Sequence, residues 1–240
     1  MNVVFFNGSP RGRQSNTHRI AAEILAGAQE AGAITEEIFL VEKHVEHCRG
    51  CFSCWHKTPG QCVIEDDMTD LMNLFLEADF AGMGTPVYGM YMTGLLKNFL
   101  DRFLPMATPH IQKRDDGTFF HNGRVTSYPR QFFVANAGFP GDQNFDLLKA
   151  VVAKQPLALE VYRNCGEALN NPATEPLDER IQRFYEALRQ AGSEMVCQGK
   201  VSEKTQAQVQ MAIMSDEEYM AQANRYWDEA IQGSTTDRPQ

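Results

Sequence analysis

A doubly wound α/β domain is the fold class this sequence predicts, from three observations. Five apolar runs have strand length, the segments between them carry helical periodicity, and most connections are short. Strands alternating with helices pair in parallel through right-handed crossovers, and the sheet is covered on both faces.

Residues 3–6 (VVFF) form a continuous apolar run closed by Asn7-Gly8-Ser9-Pro10, as a strand buried on both faces should. A helix follows, with Asn16 or Thr17 as its cap and Ile20, Ile24, Leu25 and Ala28 at helical spacing. Residues 34–41 are the second strand. Beyond a cysteine-rich loop, Asp66 or Asp67 is placed to cap a helix carrying Met68, Leu71, Met72, Phe75 and Leu76. A short strand near 79–84 runs into TPVYGMYMTGLLKNFLDRF, whose second half is a helix with Leu95, Leu96, Phe99 and Phe103 inward. Residues 131–136 supply the fourth strand, ending at Ala137-Gly138-Phe139-Pro140. A helix near 143–153 and a strand near 157–163 complete the series.

The flavour of the rest differs. Residues 105–130 form a long connection in which Asp116-Gly117 and Asn122-Gly123 are turn signals around Thr118-Phe119-Phe120, so a small hairpin insertion is expected. Residues 176–192 (Leu177, Ile181, Phe184, Leu188) and 215–232 (Met220, Ala223, Trp227, Ala230) read as amphipathic helices. The expected organisation is a binding domain over 1–175, with a cysteine loop at 47–63, and a C-terminal helical extension over 176–240.

A net charge of −9 and the lack of a basic cluster argue against a nucleic-acid or anionic-membrane partner, since phosphate backbones are bound through clustered Lys and Arg. The N-terminal apolar run is too short for a signal peptide or a membrane span, so a cytoplasmic location is expected. No Ser-His-Asp or paired-carboxylate arrangement suggests hydrolysis, and no catalytic side chain is assigned.

Ligands of such sheets sit beyond the carboxyl ends of the strands, near the point where strand order reverses. The loop NGSPRGRQSNT offers Ser9, Arg11, Ser15, Asn16 and Thr17 ahead of a helix start, where backbone N–H groups and the helix dipole favour a phosphate. It lacks the G-K-[ST] ending of a P-loop and the G-x-G-x-x-G of a dinucleotide fingerprint. Read without the other loops, it is equally a polar turn with a helix cap. Pro86, Val87, Tyr88, Gly89 and Met90 in the third loop, and Ala137, Gly138 and Phe139 in the fourth, place apolar groups beside exposed backbone, as a flat heteroaromatic ring requires.

GSPRGRQSNT, TPVYGMYMTGLLKNFLDR and NAGFP together resemble the NADPH-dependent FMN reductase branch of the flavodoxin-like fold, over roughly residues 1–165. The resemblance implies that Ser9, Arg11, Ser15, Asn16 and Thr17 hold the FMN phosphate. It also implies that Pro86, Val87, Tyr88, Gly89, Met90, Ala137, Gly138 and Phe139 border the isoalloxazine. NAD(P)H as donor, a small-molecule or protein redox partner such as a ferredoxin-like donor, and a homodimer or homotetramer are further implications.

Cys48, Cys51, Cys54 and Cys62 follow the spacing C-x2-C-x2-C-x7-C. Thiolates select zinc or iron–sulfur centres, and the first two intervals are those of the bacterial ferredoxin run. Zinc, with His44, His47 or His56 as substitute ligands, and free or catalytic thiols are the other readings. The stretch CRGCFSCWHKTPGQCVIEDDM resembles the cysteine motif of the iron–sulfur flavoproteins, which implies a 4Fe-4S cluster beside FMN. Cys165 and Cys197 read as small core residues.

Overall fold

The run VVFF lies inside β1 (Asn2–Asn7), where Val3, Val4, Phe5 and Phe6 are all buried. α1 (Asn16–Glu30) and β2 (Ile34–Phe39) follow, then a long loop containing one helical turn, α2 (Ser53–His56). Next come α3 (Met68–Glu77), β3 (Phe80–Pro86) and α4 (Gly94–Asp101), then the pair β4 (Ala107–Lys113) and β5 (Phe119–Gly123). β6 (Arg130–Asn136), α5 (Asp146–Val152) and β7 (Leu157–Arg163) close the α/β core. The chain continues as α6 (Glu175–Gln198), α7 (Glu203–Gln208) and α8 (Asp216–Thr236). The computed structural model describes residues 1–170 and 175–236.

The five-stranded sheet is parallel, in the flavodoxin-like order β2-β1-β3-β6-β7, so strand order reverses between β1 and β3. Register brings the carboxyl ends into line: Asn7 pairs with Phe39 and Gly84, Pro86 with Asn136, and Asn136 with Arg163. The apolar runs are central because a strand covered on both faces must be apolar throughout. The edge strand β2 alternates instead.

Helices on each face seal a separate core. On one side Val3, Phe5, Val134 and Val161 meet Ile20 and Ile24 of α1 and Ile181, Phe184 and Leu188 of α6. On the other, Phe6, Ala81 and Phe133 meet Leu71 and Phe75 of α3, Leu96 and Phe99 of α4, and Leu148 of α5. α1 and α6 touch backbone to backbone. A Cβ on Gly27 would lie 1.9 Å from Arg189 O, and one on Gly192 would lie 2.0 Å from Ile24 O.

Several local expectations need correction. Ser15, not Asn16 or Thr17, caps α1: its backbone is extended (φ −83°, ψ 151°) and its Oγ accepts from His18 N at 3.0 Å. At α3 no side chain caps in the usual register; Asp66 Oδ1 accepts from Met68 N at 3.1 Å, and Asp67 accepts from His44 N. The second strand stops at Phe39 because Leu40–Glu42 form a tight turn. The expected insertion is the antiparallel β4–β5 hairpin, turning at Asp116-Gly117 with Gly117 at φ 87°. Asn122-Gly123 lies within β5, where Gly123 leaves room for the Tyr128 ring. In α8 Tyr219 is buried and Ala223 of the expected stripe packs on the core, while Met220 and Trp227 are exposed, so the stripe faces inward only in part. Cys165 is buried, but Cys197 is exposed on the last turn of α6.

Candidate functional site

The three loops read from the sequence meet at one edge, tied together by buried hydrogen bonds. Gly8 N donates to Gly84 O at 2.8 Å, and Thr93 Oγ1 donates to Gly8 O at 2.6 Å while capping α4 through Leu96 N. Asn136 Nδ2 donates to Thr17 Oγ1 at 2.7 Å, joining the end of β6 to the first turn of α1. A Cβ on Gly8 would stand 2.6 Å from Leu96 Cβ and 3.0 Å from Gly84 O, so only glycine lets the first loop lie this close to α4.

In the first loop Ser9, Ser15, Asn16 and Thr17 are buried and Arg11 is exposed. Ser9 accepts from Arg11 N, and its own N–H donates to Asn7 Oδ1 at 2.9 Å, so the loop curls around its hydroxyl. The first N–H groups of α1 have no intrahelical acceptor, and Ser15 satisfies only that of His18. Asn16 Oδ1 is a buried oxygen with no hydrogen-bond partner. Arg11 pairs with Glu167 at 2.7 Å, bringing the turn after β7 to the same rim.

The third and fourth loops supply apolar surface. Pro86 and Ala137 are buried and Val87 is half-buried, whereas Tyr88, Met90 and Phe139 are 49%, 56% and 73% exposed. The three stand on neighbouring loops at one sheet edge, where an apolar patch can meet a ligand. The third loop is held by a short bridge between Tyr88 and Tyr91, with Gly89 at φ 55° and Met90 at φ 66°. A non-glycine residue in the left-handed region costs of order 1–3 kcal/mol and clusters at functional sites. The fourth loop is buttressed by the start of α8: Tyr219 Oη donates to Gly138 O at 2.9 Å, and Gly141 N donates to Asp216 Oδ1 at 3.1 Å.

Sequence reading missed the support beneath the first loop. Asn7 Nδ2 donates to Glu37 Oε1 at 2.8 Å, and His18 Nδ1 lies 2.7 Å from Glu37 Oε2. Burial pushes the Glu37 carboxyl up, and the contacts with Asn7 and His18 offset this only in part. A signal was present: Glu37 is an acid within a strand, facing the turn that follows β1.

Cys48, Cys51, Cys54 and Cys62 line one small cavity with Arg49 and Arg102. All four are free thiols. Hydrogen bonds from Ser53 draw the Cys51 thiol down, while burial, followed by the other thiols, pushes Cys54 up. Among the described residues no group of three His, Cys, Asp or Glu side chains has the placement of a formed metal-ion site. The space between the four thiols is small, about 20 Å³, room for one water. The stretches 43–52 and 57–67 contain no helix or strand. Four thiolates suit iron as a donor set, and Arg49, Arg102 and Asp101 share the lining of the cavity.

The histidines named as substitute zinc ligands are engaged elsewhere: His44 with Glu46, His47 with Asn98, and His56 with Phe52 O. Trp55 packs between Phe52 and His121, each ring centroid 5.0 Å away, and its Nε1 donates to Leu104 O. The hairpin insertion therefore covers one flank of the cysteine loop.

α4 connects the two regions. Its N-terminal cap, Thr93, belongs to the three-loop edge, and Asn98 Nδ2 binds Val45 O at 2.6 Å further along. At its C-terminal end Arg102 reaches the cysteine loop.

Residues 1–116 match the family model for NADPH-dependent FMN reductase. An iron–sulfur flavoprotein of Archaeoglobus fulgidus is 34% identical over 105 residues, 44% of this chain and 46% of that one. One of Methanocaldococcus jannaschii is 37% identical over 106 residues, 44% of this chain and 53% of that one. The chain thus spans about half the length of the curated relatives it matches. Among solved structures, an FMN-dependent NADH-azoreductase from Bacillus anthracis in complex with FMN has TM-score 0.57 at 17% identity, covering 81% of this chain and 99% of that one. An NAD(P)H:quinone oxidoreductase from Methanothermobacter marburgensis has TM-score 0.56 at 13% identity, covering 81% of this chain and 96% of that one. At these identities the likeness is one of fold.

Proposed function

We propose that the chain, whose first 116 residues match the NADPH-dependent FMN reductase family, is an FMN-dependent oxidoreductase passing electrons through FMN and a 4Fe-4S cluster. The observation that carries the flavin half is the convergence of three loops at the sheet edge where strand order reverses, with buried hydroxyls on one side and exposed apolar groups on the other. The cluster half rests on four free thiols around one cavity and on the iron–sulfur flavoproteins among the relatives.

In this reading Ser9, Ser15, Asn16, Thr17 and the first N–H groups of α1 hold the phosphate end, with Arg11 supplying charge at the rim. A ribityl hydroxyl is a suitable donor for the unpartnered Asn16 Oδ1. Pro86, Val87, Tyr88, Gly89 and Met90, with Ala137, Gly138 and Phe139, border the ring and keep water from it. Cys48, Cys51, Cys54 and Cys62 hold the iron. When bound, FMN accepts a hydride and releases electrons singly, and the cluster moves single electrons. NAD(P)H or a ferredoxin-like protein is the donor class this pairing admits.

A homodimer or homotetramer belongs to the same reading. Its support is an apolar cavity of 690 Å³ between α4 and α5, bordered by Phe103, Met106, Tyr128 and Val151, where a second copy has surface to cover.

Anaerobic reduction of the FMN-loaded protein tests the function. With NADPH, NADH or reduced ferredoxin as donor, the flavin absorption should bleach while the electron paramagnetic resonance signal of a reduced cluster grows. Replacing the four cysteines by serine should abolish that signal and the electron transfer that depends on it. Unchanged turnover after the replacement would instead favour a flavin-only quinone or nitro-compound reductase.

A further inference from the structure

Arg102 stands at the C-terminal end of α4 and is 1% exposed, a rare position for a guanidinium. Its Nη1 donates to Asp66 Oδ2 and to Glu46 O, both at 2.6 Å. Its Nη2 donates to Asp66 Oδ1 at 3.0 Å and to Cys62 Sγ at 3.5 Å. Asp66 is fully buried and itself accepts from Glu46 N and Met68 N.

This is more than a lock on the loop's shape. A salt bridge used only to anchor residues 46 and 66 is satisfied by the carboxylate and the Glu46 carbonyl. Here the fork also points one donor at a proposed cluster ligand, and Asp66 fixes the guanidinium plane so that the donor stays aimed. Arg49 also lines the cavity, but it is exposed and is given no such anchor.

We propose that Arg102 is a positioning residue for the cysteine site: it holds Cys62 by a charge-assisted hydrogen bond and, through that bond, raises the reduction potential of the cluster there. The inference rests on the cluster reading above. Reduction adds one electron to the iron–sulfur core, with no bond made or broken, and so increases the negative charge carried by core and thiolates. A buried donor on a ligand sulfur favours the more negative state, because hydrogen bonds to the sulfurs are among the determinants of potential. Asp66 limits the effect by neutralising much of the guanidinium charge, leaving the directed N–H as the larger contribution.

The test is a potentiometric titration, followed by electron paramagnetic resonance, of anaerobically loaded wild type, Arg102→Lys and Arg49→Lys. Lysine keeps the charge and loses the fork. The expected result is a negative shift of the cluster midpoint in Arg102→Lys, with the flavin midpoints and Arg49→Lys at wild-type values. A loaded Arg102→Lys with the wild-type midpoint overturns the inference, as does an equal shift in Arg49→Lys. If Arg102→Lys does not retain iron, wild type labelled with ¹⁵N in its arginine guanidinium groups decides. Nitrogen hyperfine coupling to the reduced cluster that persists in Arg49→Lys supports the inference, and its absence overturns it. Wild type without iron and sulfide after anaerobic loading overturns the cluster reading and this inference together, whereas a loaded wild type with unshifted variants overturns the inference alone.

Discussion

Replacing Asp66 by alanine isolates the energetic consequence of burying Arg102. The two side chains are 1% and 0% exposed, and the carboxylate takes both arms of the guanidinium fork. Removing it strands a cation that keeps only Glu46 O and Cys62 Sγ from its described partners, and breaking a buried pair in this way costs about 3–5 kcal/mol. The N–H groups of Glu46 and Met68 lose their acceptor as well, which adds about 1 kcal/mol for each that water does not reach. Against a total stability of about 5–15 kcal/mol this is a large fraction. At roughly 2–4 °C per kcal/mol for a chain of this size, Tm should fall by roughly 6–28 °C. The assay is urea and thermal unfolding of the reduced protein, followed by far-ultraviolet circular dichroism. Because most of the penalty comes from the unpaired charge, the double variant Asp66→Leu/Arg102→Met should recover most of the loss. A single variant within about 1 kcal/mol of wild type, or a double variant as unstable as the single, would refute the reasoning.

Other predictions concern the three-loop edge. Gly8→Ala should lower stability by about 1–3 kcal/mol and weaken FMN binding, since the new methyl must displace Leu96 or the Gly84 carbonyl; fluorescence titration with FMN checks it, and wild-type affinity would contradict it. Thr93→Val removes both the α4 cap and the bond to Gly8 O, and should cost about 1–2 kcal/mol in urea unfolding. Glu37 is held above its ordinary value of 4.5 by burial, so its folded form prefers the proton. That contribution is present below the ordinary value and lost as pH rises through the raised one. The stability of wild type minus that of Glu37→Gln should therefore fall as pH rises above the ordinary value of 4.5, and a difference that grows with pH would be the wrong sign.

The alternation of apolar runs and helical stripes carried the fold because a covered parallel sheet leaves its strands little choice: VVFF and QFFVAN are β1 and β6 almost residue for residue. Loop convergence was legible for the same reason, since parallel strands all deliver their following loops to one edge. What was not legible depends on contacts distant in sequence. Thr93 binding Gly8 O, Asn136 binding Thr17 and Tyr219 binding Gly138 span 85, 119 and 81 residues. In α8 the exposure of Met220 and Trp227 was missed because a hydrophobic stripe does not encode how far along a helix its core contact extends. Arg102 ends an amphipathic helix, where an arginine is ordinarily a solvated C-terminal charge. Only the return of the cysteine loop along α4 turns it inward.

The proposed function places a flavin at the three-loop edge and an iron–sulfur cluster in the cysteine loop of one chain. The most direct measurement is an absorption spectrum with FMN, iron and acid-labile sulfide analysis on protein purified without air. The account predicts bound FMN with about four irons and four sulfides per chain and broad charge-transfer absorption beneath the flavin bands. Flavin bands with neither iron nor sulfide, on protein never exposed to oxygen, would contradict it.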